Sequence, residues 1–308
     1  MIGAGLRAPV LAPIVDALVA ARNPDGGWGA GAGRSSNTEA TALGLLALHA
    51  AGREGTAEAA AWLVSRQRED GSWAFDDVVP DASWSGSLAV FALGRTGADE
   101  AGAARGLRWL VGQEGSSFPF LIWLRYKLFP EDQAVELDPS LTGWPWTPDT
   151  FSWVEPTSYA LLALKCLPGL APRRAARARI QEGERMILDR ACRGGGWNYG
   201  NSRVLDEELE PYPDTTAIAL LALQDQPRLE GVRAGMTALR RMLGEVDSGL
   251  ALALATLCFR AHDLDASTLA RRLGARFEAA GFLGETRVLA LAALALADTS
   301  PFTLPRDG

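Results

Sequence analysis

The stretch PYPDTTAIALLAL, Pro211 to Leu223, places one aspartate, Asp214, at the front of an otherwise apolar run. A carboxyl there can cap a helix and suit its dipole. Buried, it can also keep its proton and act as an acid, provided that something stabilises the anion left behind. Tyr212, Thr215 and Glu155 are the candidate helpers for Asp214. The two histidines, His49 and His262, fall late in or beyond apolar runs, so neither is an obvious partner. Glu39, Glu155 and Glu285 share the register of Asp214, and Pro156 after Glu155 favours the capping reading there. A second set of residues is aromatic. Trp144, Trp146, Phe151 and Trp153 crowd one long insertion, and Trp84, Trp197 and Tyr199 stand in comparable connections. Aromatic faces stabilise a cation without attacking it, so such a lining suits cationic intermediates. Filling the gaps between helices is the competing use.

Other clusters point to less. DDVVPD (76–81) approximates a DDxxD diphosphate and magnesium pattern, but the spacing is off by one and the residues read as a solvated turn. There is no D-x-C zinc pattern, and neither a metal nor any other cofactor is expected. RRAARAR (173–179) reads as a solvated helix face.

Bulk properties narrow the function further. A net charge of -7 and a pI near 5.1 disfavour nucleic acid as a partner. Three scattered cysteines suit a reducing compartment, so a cytoplasmic location is expected. The apolar residues near the N-terminus are interrupted by Arg7, Asp16 and Arg22, which gives an amphipathic helix and no secretory segment.

The elements that must carry these residues come from an internal repeat. EATALGLLAL (39–48), WSGSLAVFAL (84–93), EPTSYALLAL (155–164) and DTTAIALLAL (214–223) align without a gap, followed by weaker copies SGLALALATL (248–257) and ETRVLALAAL (285–294). Each is apolar nearly all round, as a helix covered on both sides must be. Amphipathic segments precede each copy, at 8–22, 56–68, 101–113, 173–191, 228–243 and 265–279, and read as outer helices. Six outer and inner pairs predict an all-α chain and a closed (α/α)6 toroid, with an open solenoid of the same hairpins as the alternative. The reading is one domain over 1–308, with an aromatic-rich insertion at about 114–154.

The connections NPDGGWG (23–29), QREDGSW (67–73) and CRGGGWNYG (192–200) combine a turn glycine with a tryptophan that can pin the turn on a neighbouring hairpin. The arrangement WLVSRQREDGSW (62–73) resembles the QW repeat of squalene-hopene and oxidosqualene cyclases, which share a toroid with the protein prenyltransferase β subunits. In class II terpenoid cyclases the acid motif is D-x-D-D-T-A, against which this chain reads Y-P-D-T-T-A, Tyr212 to Ala217. The resemblance implies that Asp214 takes the proton donor's place, while Tyr212 and Thr215 replace the flanking aspartates. It implies an isoprenoid or polyene substrate in an apolar cavity, cyclised by protonation without a metal. FPFLIWLRYKLF (118–129), with Arg125 and Lys127, is either a packed lid or a segment that dips into a bilayer surface, as in monotopic cyclases. Two alternatives stand beside the cyclase reading: a non-catalytic isoprenoid-binding or scaffold toroid, and a toroid enzyme of other chemistry, such as a glycosidase using Glu155 and Asp214.

Overall fold

The computed structural model describes residues 10–116, 124, 128, 137–205 and 207–305. The expected segment 118–129 thus lies outside the described residues, apart from two positions.

Twelve α-helices among the described residues alternate between two layers. The outer ones are α1 (Leu11–Ala20), α3 (Thr56–Arg66), α5 (Glu100–Val111), α7 (Arg173–Asp189), α9 (Glu230–Met242) and α11 (Ser267–Ala280). The inner ones are α2 (Thr38–Ala50), α4 (Ser85–Thr96), α6 (Val154–Cys166), α8 (Pro213–Ala222), α10 (Gly249–Ala261) and α12 (Thr286–Leu296). A two-residue-per-strand hairpin, β1 (Arg203–Val204) with β2 (Glu207–Glu208), precedes α8.

Inner helices contact their neighbours in the order α2, α4, α6, α8, α10, α12, and α12 returns to α2. The ring is closed, and the fold is an α/α toroid. Every residue from Ala40 to Leu48 of α2 and from Thr215 to Ala222 of α8 is buried, which explains why these helices show no polar face. Burial of each leucine in such a helix contributes roughly 1.5–3 kcal/mol. Outer helices keep one charged face and lean on the inner helix before them in the chain. Helix α1 packs on α12.

The connections behave alike at three places. Gly26, Gly71 and Gly195, each two residues before a tryptophan, take φ of 90°, 93° and 83°, a left-handed conformation that side chains disfavour. Trp28, Trp73 and Trp197 then drop their rings, 0% exposed, between hairpins. Their indole N–H groups donate to the carbonyls of Leu18 (2.7 Å), Leu63 (2.8 Å) and Ile187 (2.6 Å), near the ends of the preceding outer helices. In the QW-like stretch, Gln67 donates to the carbonyls of Gly71 (3.2 Å) and Gly102 (2.9 Å), so the glutamine ties its turn to the next outer helix.

Candidate functional site

All six inner helices present their N-termini to one end of the ring, and the acids noted above lie there. Glu285 stands at the N-cap of α12 without a side-chain cap bond, whereas the other three lie inside their helices. The N-cap of α8 is Tyr212, Pro213 is the first helical residue, and Asp214 is second and half-buried. Glu39 and Glu155 are likewise second, after N-caps Asn37 and Trp153. It is Asn37, not Glu39, that caps α2, its side chain accepting from Ala40 N–H at 2.8 Å. The glutamates are therefore free to point into the ring rather than back onto their own backbone.

They are held by a residue the sequence reading did not single out. Arg287, in the first turn of α12, bonds through Nη2 to Oε1 of Glu155 and lies with Nε 3.0 Å from Oε1 of Glu39. Helix α2 neighbours α12, whereas α6 stands opposite it, three places round either way. Arg287 thus crosses the ring axis. Tyr159, one turn below Glu155, is 1% exposed and carries a hydroxyl without a hydrogen-bond partner.

The electrostatics follow from this crowding. Burial pushes the Glu39 carboxyl above the usual glutamate range, Arg287 pulls it back, and Glu155 and Glu285 push it up again, for a net rise. For Arg287 burial alone would lower the guanidinium pKa, but Glu39, Tyr159 and Glu155 raise it well above the ordinary arginine value. Burial raises the Tyr199 phenol, and Asp214, Glu155 and Tyr212 raise it further.

The expected site residues divide accordingly. Asp214, Glu155, Tyr199 and Tyr212 come together, and the Tyr199 and Tyr212 rings lie 5.2 Å apart. Trp153 joins them: Val154 N–H donates to the Tyr199 carbonyl at 3.0 Å, and the Trp153 ring packs on Gly200. Trp84 lies 5.5 Å from the Tyr159 ring and meets Trp146 edge-on at 5.0 Å. Phe151 is half-exposed on the loop before α6, and Thr215 is buried.

Trp144 and Trp197 do different work. Each is a turn pin: Trp144 donates its indole N–H to the Leu110 carbonyl at 2.8 Å and is covered by the Arg179 guanidinium 4.3 Å from its ring centroid. Backbone N–H groups of Trp28, Trp144 and Trp197 donate to the hydroxyls of Thr41, Thr157 and Thr216 at 3.0, 2.9 and 2.9 Å. Arg287 stands where those threonines stand in the aligned repeats, with no tryptophan turn before it to serve. That charge inside an apolar repeat was the available signal for the crossing residue. Arg179, from the run read as solvated, is buried and donates to the carbonyls of Gln113 (2.8 Å) and Gly143 (3.1 Å), tying down the insertion.

His262 contacts the Leu220 carbonyl at 3.0 Å, and His49 is exposed; both lie at the opposite end of the ring from Asp214. In DDVVPD, Asp76 accepts from Val78 and Val79 N–H and Asp77 pairs with Arg66, as a solvated turn requires. No group of three or more metal-ligating side chains occurs among the described residues, and no described helix is long and apolar enough to cross a membrane. A hollow of about 20 Å³ opens between α4 and α6 against Trp84, Trp144 and Trp146, and a groove of about 740 Å³ lies on the outer surface by Arg22, Asp25, Glu58 and Trp62.

No family model matches the chain, and no curated protein matches it. Solved structures do. An α-amylase from Clostridium perfringens superposes with a TM-score of 0.63 at 10% identity, over 96% of this chain and 99% of that one. Rex8A from Paenibacillus barcinonensis, complexed with xylose, gives 0.57 at 10% identity, over 95% and 93%. A variant of the type II terpene cyclase MstE from Scytonema, in complex with its product merosterolic acid A, gives 0.56 at 14% identity, over 96% and 99%. At these identities the likeness concerns the fold, an α/α toroid shared by all three.

Proposed function

We propose that the acid-and-aromatic end of the ring is a catalytic mouth that takes an isoprenoid or related polyene and cyclises it by protonation, as the class II cyclase resemblance implies. The observation that supports this reading is the meeting of Glu39, Glu155 and Asp214 with Trp84, Trp146, Tyr199 and Tyr212 at one end. Protonating an alkene needs a positioned acid, a group to take up the anion's charge, and walls that neither attack nor hydrate the cation. Carboxyls, Arg287 and the indole faces offer these in turn. The segment 118–129 is the part of the chain we assign to contact with a lipid surface.

A second reading is favoured by Arg287 itself. Its side chain occupies the axis where a long substrate would enter, and the hollow beside Trp84 has room for about one water molecule. A toroid so barred is a binding or scaffold protein.

The two are separated by incubating the purified chain with a panel of polyprenyl diphosphates and squalene and identifying products by mass spectrometry. Cyclised product that Asp214→Asn or Glu39→Gln abolishes supports the enzyme, and an unmodified co-purifying lipid supports the carrier. Xylo-oligosaccharides and starch belong in the panel because Rex8A was complexed with xylose and another neighbour is an amylase. Their hydrolysis would replace the isoprenoid reading with a glycosidase.

A further inference from the structure

We infer that Glu39, rather than Asp214, is the stored acid of this mouth: it keeps its carboxyl proton at neutral pH because Glu155 takes the aligned hydrogen bond of the one guanidinium that both face. The inference rests on the acid-mouth reading for its use in catalysis, but not for its chemistry.

The geometry distinguishes the two glutamates. Arg287 directs an aligned Nη2 hydrogen bond at Glu155, whereas its Nε faces Glu39 at 3.0 Å without the alignment of a hydrogen bond. Oε1 of Glu39 is buried and has no hydrogen-bond partner. A carboxylate oxygen without a donor is poorly stabilised away from water, and a neutral carboxyl is not. If both glutamates were ionised, they and Arg287 would carry one net negative charge in a largely buried site. Glu285, just before α12, would add another of the same sign. Helix α4, packed on the other side of α2, brings only Arg95, at its far end. From α6 the buried Tyr159 hydroxyl lies close to Arg287 and Glu39. Arg287 is the cation that acts on Glu39. The proton stays on Glu39.

Its use in the proposed reaction is direct. The Glu39 proton passes to one carbon of a substrate double bond, the π electrons form the new C–H bond, and the neighbouring carbon becomes the cation. Glu39 is left as a carboxylate beside the Arg287 Nε. Loss of a C–H proton from the cation to water ends the sequence, and Glu39 takes a proton back from solvent through the 13% of its side chain that remains exposed.

The test reads the proton itself. Infrared spectra of the folded protein at neutral pH are expected to show a protonated-carboxyl carbonyl band that Glu39→Gln removes and Asp214→Asn retains. Glu155→Gln is the sharper variant: it frees Arg287 for Glu39, so the band should vanish although Glu39 is untouched. Absence of the band from the unaltered protein, or its survival in Glu39→Gln or Glu155→Gln, overturns the inference. Failure of every polyprenyl substrate would defeat the isoprenoid reading while leaving the infrared result to stand or fall alone.

Discussion

Arg287 and Glu155 meet across the axis of the helical ring, each from a helix that faces the other rather than adjoins it. The pair measures the free bore of the toroid at that level as the reach of one arginine and one glutamate. It also makes stability depend on a single guanidinium.

Replacing Arg287 by Met should therefore leave two carboxyls in a largely buried site without their cation. Breaking a buried ion pair from one side costs about 3 kcal/mol. Denaturant unfolding should show a loss of that order, and the triple variant Arg287→Met, Glu39→Gln, Glu155→Gln should regain most of it. An unchanged midpoint in the single variant would show that the crossing pair holds nothing.

The raised pKa of Glu39 has a definite pH signature. Burial comes first among its causes, so the folded state holds the proton more tightly than the unfolded chain does. The contribution is fully present below the usual value of 4.5 and is lost as pH rises through the higher folded value. Compared with Glu39→Gln, the unaltered protein should lose stability as pH rises from 4.5 through the folded value, a slope that paired unfolding curves would reveal.

Asp25 predicts the opposite limb. Burial would raise its pKa, but hydrogen bonds from Gly27 N–H, the Ser36 hydroxyl and the Trp62 indole outweigh burial and lower it. Its stabilisation is present above the usual 3.8 and disappears as pH falls through the lower folded value. Asp25→Asn should flatten part of the acid unfolding limb, with Trp62 fluorescence as the local reporter.

The turn pins are testable one atom at a time. Trp73→Phe keeps an aromatic ring in place but leaves the Leu63 carbonyl without its donor, at a cost of about 1–2 kcal/mol. Gly235→Ala would set a methyl 2.5 Å from the Trp197 ring, and overpacking of this kind costs about 1–3 kcal/mol. Thermal unfolding of both variants measures the pins' share of stability; no change in either would remove tryptophan packing from the account of how hairpins are joined.

The architecture was legible because its cause is local. An inner helix must be apolar on every side, and an outer one on a single face, so Ala40 to Leu48 and Glu230 to Met242 declare their layers in sequence. The site was less so. That Glu155 and Asp214 share an end follows from the repeat register, but the partner of Glu155 depends on which helix stands opposite once the ring has closed. Among the insertion's tryptophans, Trp144 lies thirteen residues before Thr157, the spacing that separates Trp28 from Thr41. That spacing marked it as a pin, while Trp146 and Trp153 were left for the mouth.

The seating of α1 on α12, beside the direct contact of α12 with α2, ties the first described helices to the last. An open stack of the same hairpins would leave one face of α2 and one of α12 uncovered, and the closed ring leaves neither. The toroid should melt as one cooperative unit rather than fray repeat by repeat, as an open stack of the same hairpins would.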